Sequence, residues 1–163
     1  MLSKVLSKNT CANCRFCCSF RRCSLWETPI FPNETVSVLE DKGYHFIKND
    51  GYGLMDLKDS YKTDDSQEEA PCYFLDSKSG CSLSEDEKPF DCKIWPIRIM
   101  KDEEGRRYIT IATTCKAVKE IGIEPFRELV NDGLYKVISD YADSHPYMVK
   151  DFTPDYPIIK ELQ

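Results

Sequence analysis

The chain has 163 residues, 41% of them hydrophobic and 31% charged, which suits one domain with a modest core and leaves little room for a second. With 22 Lys and Arg against 28 Asp and Glu the formal charge is −6, which disfavours a broad electrostatic grip on nucleic acid or on an anionic membrane surface. The opening MLSKVLSKNT lacks the apolar run of ~7 to 15 residues that a secretory signal needs, and no stretch approaches the ~18 apolar residues of a membrane span, so a cytoplasmic protein with reduced thiols is expected.

In chain order, the first 25 residues are basic and rich in cysteine, with Lys4, Lys8, Arg15, Arg21 and Arg22 interleaved among Cys11, Cys14, Cys17, Cys18 and Cys23. A metal-ordered knuckle with a helical turn fits them better than a free-standing helix. Asn33 is placed to cap a short helix through Thr35–Leu39, ended by Gly43. Turn residues Asn49, Asp50 and Gly51 between two short apolar runs predict a hairpin, and the acidic stretch from Ser60 to Ala70 predicts a solvated loop.

The second cysteine region is PCYFLDSKSGCSLSEDEKPFDCKIWP, with turn chemistry at Asp76–Gly80 and a short helix carrying Cys92 between Pro89 and Pro96. Ile97–Met100 and Tyr108–Ile111 alternate about Asp102–Gly105 and predict the clearest hairpin, with Cys115 directly after it. From Glu124 to Tyr141 the apolar residues Phe126, Leu129, Val130, Leu134, Val137, Ile138 and Tyr141 recur at helical spacing despite Gly133. The tail around Pro154 and Pro157 is expected to run extended over the surface.

Cysteine is the residue that carries chemistry here. Four thiolates arranged tetrahedrally bind zinc or the corners of an iron-sulfur cluster, and Cys11-x2-Cys14-x2-Cys17-Cys18 supplies four within eight residues. Neighbouring side chains diverge by ~100° on a helix, so Cys17 is expected to point away from a face shared by Cys11, Cys14 and Cys18. Two nearby sites, or one polynuclear site, follow, completed from Cys72, Cys81, Cys92 and Cys115. Cys23 is left as a spare. So many thiolates need nearby donors, and Arg15, Arg21, Arg22, Lys93 and Arg98 are candidates.

Disulfides fit poorly with nine cysteines, a vicinal pair and no secretory signal. A thioredoxin-like site lacks its βαβ context. An all-cysteine donor set with a ferredoxin-like run leans toward iron-sulfur, with zinc as the alternative. His45 and His145 have no cysteine at companion spacing and read as structural. Gly51-Tyr-Gly53-Leu-Met-Asp56 fails as a dinucleotide loop because Asp56 stands at the third glycine position. Phe90 and Trp95, either side of Cys92, read as shields that keep water from a metal site.

The residues CANCRFCC, followed by PCYFL…GCSLSEDEKPFDCKIWP, closely resemble the cysteine-cluster family named for its CxxCxxCC motif, described as a zinc- or iron-chelating domain. Its second motif runs Cys, Gly-Cys, then Arg/Lys-Pro-x-x-Cys-x-x-aromatic-Pro, and Cys115 falls where the family's last cysteine is expected. The resemblance covers residues 11–115 and implies chelation by Cys11, Cys14, Cys17, Cys18, Cys72, Cys81, Cys92 and Cys115. Many members carry Gly where this chain has Phe16, and Cys23 is additional. A related cluster in flagellin lysine methylases implies a second reading, a redox or methyl-transfer enzyme component. The expectation is therefore a small α+β single domain, 1–163, organised around a cysteine-ligated metal site, with a C-terminal helix and tail over 124–163, no nucleic-acid or membrane partner, and no catalytic motif.

Overall fold

A computed structural model describes residues 2–6, 13–22 and 27–162 of the chain. Mixed helices and short, mostly antiparallel strands make the architecture α+β, as expected. The chain divides into two compact units, residues 11–92 and residues 1–10 with 93–163. Among the described residues no helix is long and apolar enough to cross a membrane.

In the unit 11–92, strand β1 (Ser19–Arg21) is followed by β2 (Phe31–Pro32) and helix α1 (Asn33–Asp41). Then come β3 (Phe46–Lys48), β4 (Tyr52–Met55), β5 (Glu69–Pro71), β6 (Leu75–Asp76), β7 (Gly80–Cys81) and helix α2 (Phe90–Ile94), in which the chain leaves this unit. The strands form a three-stranded sheet in the order β2-β4-β3 and two pairs, β1-β5 and β6-β7. Strands this short contribute few ladder bonds, so apolar packing has to hold them.

That packing is aromatic. Phe31 and Phe74 are fully buried with centroids 5.7 Å apart, Phe46 meets Phe31 edge-on at 5.2 Å, and Tyr44 lies 4.7 Å from Phe74. Val36 and Leu39 bring the apolar stripe of α1 into the same cluster. At Gly53, in β4, helix and sheet approach closely: a Cβ built on it would sit 2.8 Å from Val36 Cγ2.

The β3-β4 hairpin forms as predicted. The expected cap does not: Pro32 holds that position, and Asn33 is the first helical residue, its N–H donating to the Gly51 carbonyl at 3.4 Å. Strand β2 is registered on β4, with Pro32 opposite Tyr52, and this fixes the helix entry without a side-chain cap.

The acidic stretch from Ser60 is a loop, but a tied one. Glu68 accepts from the N–H groups of Lys62 (2.7 Å) and Thr63 (2.8 Å), from the Thr63 hydroxyl (2.9 Å) and from Arg22 (3.4 Å). Chiefly through those two backbone donors its carboxyl is held down to about 2. Arg22 also donates to the Thr63 carbonyl at 2.5 Å and lies 4.4 Å above the Tyr61 ring.

In the second unit, β8 (Ile97–Lys101) and β9 (Arg107–Ile111) form the predicted hairpin. Helices α3 (Lys116–Ile121), α4 (Glu124–Leu129) and α5 (Tyr135–Ser144) follow, then β10 (Lys150–Asp151) and β11 (Ile158–Leu162). The sheet order is β10-β8-β9-β11. The tail expected to run extended over the surface is extended, and it supplies both outer strands. Open edges of the β8-β9 hairpin leave backbone groups unpaired, and β10 and β11 pair with them while Ile159 and Leu162 are buried. The single helix predicted from Glu124 is two, joined by a wide turn, Val130–Leu134, at Gly133 with φ 104°. The helical apolar period survives because Val130, Leu134 and Ile138 all remain buried across it. Arg127 reaches the Ile159 carbonyl at 2.8 Å and Arg107 the Asp143 carboxylate at 2.6 Å, tying α4 and α5 to the sheet.

Two predictions follow from this packing and charge. Gly53→Ala should cost about 1–3 kcal/mol in urea unfolding, part of it recovered by adding Val36→Ala; no loss would contradict the close approach. Because its folded value lies below the ordinary 4.5, Glu68 contributes stability that is fully present above about pH 5 and lost as pH falls toward 2. Hydrogen exchange at the Lys62 and Thr63 amides should therefore lose protection over that window, and Glu68→Gln should remove the pH dependence.

Candidate metal centre

The β1-β5 pairing brings the two cysteine regions together. Ser19 faces Pro71, Phe20 faces Ala70 and Arg21 faces Glu69, and the ladder continues one step further through the Cys72 N–H, which donates to the Cys18 carbonyl at 2.8 Å. Cys18 and Cys72 therefore stand opposite one another. Cys18 ends the tight turn Phe16–Cys18 that leads straight into β1, and Cys72 directly follows β5, beside the buried Phe20 and Ala70 of the ladder. Cys72 Sγ lies 3.8 Å from Met55 Sδ at the edge of the aromatic cluster. Phe74, two residues on, anchors this stretch in the core.

Each cysteine region then adds a thiol. Arg15, between Cys14 and Cys17, adopts left-handed backbone with φ 55°, and the Cys18 N–H closes back on its carbonyl at 3.0 Å. The tight turn thus falls one residue before Phe16. It breaks the continuous helix that would have turned Cys17 away, and the Cys17 thiol is hydrogen-bonded to Cys18. From the other side, Leu75 pairs with Cys81 in the β6-β7 hairpin, and the Ser82 N–H donates to the Phe74 carbonyl at 2.8 Å. Arg15 donates to the Ser77 carbonyl in the turn of that hairpin, joining knuckle to hairpin.

These thiols feel one another electrostatically. The hydrogen bond from Cys17 brings Cys18 down to about 7 against the opposing effect of burial, helped by the Lys88 ammonium. Burial pushes Cys72 up to about 12 despite a bond from the Phe74 N–H, and the charges of Cys18 and Cys81 push it further. Thiols whose negative charges oppose each other in a half-buried corner are the kind of donor whose charge a soft cation would offset.

The other expected ligands stand differently. Cys92 is exposed on α2, and Cys115 is buried at the N-terminus of α3 in the second unit. Cys11 and Cys23 lie outside the described residues. None of the seven described cysteines is in a disulfide. Among the described residues no three Cys, His, Asp or Glu side chains converge tightly enough to hold a metal ion. His145 stacks on Tyr141 at 4.0 Å, a packing role.

Of the cations expected near the thiols, Arg21 and Arg22 instead hold the 61–69 stretch, through Gln67 at 3.3 Å and Glu68 at 3.4 Å. Arg98 is buried over the Trp95 ring in the second unit, where Trp95 packs against Met100 and Tyr156. Lys88 is the cation that sequence reasoning missed. Its only signal was its place just before Pro89 in the second motif.

In reduced, metal-stripped protein, iodoacetamide should modify Cys18 with a midpoint near pH 7, whereas Cys72 stays inert until strongly alkaline pH, read by mass spectrometry of each peptide. Lys88→Gln should raise the Cys18 midpoint; equal profiles for the two thiols would contradict the environments described. Comparison of the chain with protein-family models, with curated proteins and with solved structures finds no match.

Proposed function

We propose that the protein binds a soft metal centre through clustered thiolates, an iron-sulfur cluster in first place and zinc as the other occupant of the same donors. The observation that carries this reading is the cross-strand placement of Cys18 opposite Cys72, with Cys17 and Cys81 in electrostatic reach. Cys14, next to the Arg15 turn, and Cys11, earlier in the motif, extend the donor set. For Cys92 and Cys115 the sequence motif is the support.

The residues have separable tasks in this reading. Cys18 and Cys72 supply donors from a backbone already fixed by hydrogen bonds, so little ordering is needed on binding. Arg15 keeps the knuckle against the β6-β7 turn, and Lys88 offsets thiolate charge. Phe74 and Met55 keep one side of the corner dry. A bound cluster would supply one-electron redox chemistry, and bound zinc a cross-link between the two cysteine regions. The methyl-transfer alternative has the family resemblance behind it.

Anaerobic isolation followed by metal and acid-labile sulfide analysis tests the proposal. Iron with sulfide is the expected result; zinc without sulfide would replace the cluster by the simpler site, and neither metal, with unchanged folding in chelator, would refute both. Cys18→Ser and Cys72→Ser should each lower bound metal by about tenfold or more, the scale of losing a ligand or its support.

A further inference from the structure

We propose that Cys18 and Cys72 are a redox pair that closes into a reversible cross-strand disulfide when the metal is absent, so that oxidation and metal binding compete for the same two sulfurs. The cross-link rests on backbone register; the competition rests on the metal-binding reading above.

The register leaves little freedom. The Cys72 N–H bond to the Cys18 carbonyl makes the two residues a hydrogen-bonded pair, whose Cα atoms lie about 5.5 Å apart, within the ~4.4–6.8 Å that a disulfide spans. The Cys72 N–H bond to the Cys18 carbonyl, the Phe20–Ala70 pair and the Arg22 N–H bond to the Glu68 carbonyl (3.0 Å) hold that register from both ends. Cys18 ends the turn that enters β1 and Cys72 directly follows β5, and the charge of Cys18 is felt at Cys72, so the two thiols are neighbours.

Two other pairings are less well set. A Cys17–Cys18 bond closes an eight-membered ring that distorts the intervening peptide, here fixed by the Cys18 N–H bond to Arg15. Cys72 and Cys81 are not opposite: the register places Leu75 against Cys81.

The oxidant is a low-molecular-weight disulfide, for which glutathione disulfide serves as the probe. One thiolate of the pair attacks a glutathione sulfur, forming a mixed disulfide and expelling one glutathione thiolate. The second protein sulfur then attacks the first, forming the Cys18–Cys72 bond and expelling the other glutathione. Two electrons pass to glutathione, and the two protons released by the protein thiols end on the leaving thiols. Dithiol reductants reverse the sequence.

Reduced protein stripped of metal by chelator is incubated anaerobically with glutathione disulfide and mapped by mass spectrometry without reduction. One peptide pair joined through Cys18 and Cys72, lost on adding dithiothreitol, is expected. A map joining Cys17 to Cys18 or Cys72 to Cys81, or glutathione adducts alone, overturns the pairing. A parallel sample loaded with one equivalent of zinc should cross-link about tenfold more slowly. An unchanged rate would overturn the competition and the metal reading with it, while the map still decides the pairing. The wild-type map needs no variant to fold.

Discussion

Everything proposed for this chain depends on a ladder of very few hydrogen bonds. Strand β1 has three residues and so does β5, yet their register is what sets the first cysteine region against the second. A slip by one residue would move Cys18 out of line with Cys72 and expose Phe20. The register is held from outside the ladder. The Tyr61 hydroxyl donates to the Phe20 carbonyl at 3.1 Å, Ser19 donates to Glu69 at 2.9 Å, and Arg22 with Glu68 closes the loop that leads back into β5. The acidic stretch that looked like a mere solvated connection is part of what positions the thiols.

Electrostatics and packing pull in different directions at this corner. Packing buries Cys72 among apolar neighbours, which favours the neutral thiol, whereas the thiols around it accumulate negative charge as they ionise. Nearby cations relieve this only in part: Lys88 acts on Cys18, and the arginines of the first region are engaged elsewhere. In a chain already carrying −6, a corner of opposed thiolates is better neutralised by a bound cation, or removed by joining two sulfurs. In the proposed account, metal binding and disulfide formation are two outcomes of one local imbalance.

Much of the fold was legible because it is written in short-range pattern. The β3-β4 and β8-β9 hairpins follow from alternation about turn residues, and the helical period after Glu124 matches the buried Phe126, Val130, Leu134 and Ile138, but not the exposed Val137, even though Gly133 divides the helix. The tail is extended as its prolines suggest, but its pairing is not legible, because the edges that Ile158–Leu162 and Lys150–Asp151 pair with lie far back in the sequence. Spacing points to the two cysteine regions and to their sharing of sites, but which cysteine stands opposite which is not readable from it. The Cys18–Cys72 register depends on a long-range pairing of two three-residue strands, and the fate of Cys17 turned on a positive φ at Arg15, a residue that gives no local hint of it. Lys88 was overlooked for the same reason: its relation to Cys18 exists only after folding.

The central claim is that sulfur from both cysteine regions binds one soft cation, and X-ray absorption at the metal edge tests it most directly. Metal-loaded protein should show a shell dominated by sulfur at about 2.3 Å, with Cys18→Ser and Cys72→Ser each reducing the sulfur count. A shell of nitrogen and oxygen, or a sulfur shell indifferent to Cys72→Ser, would contradict the account.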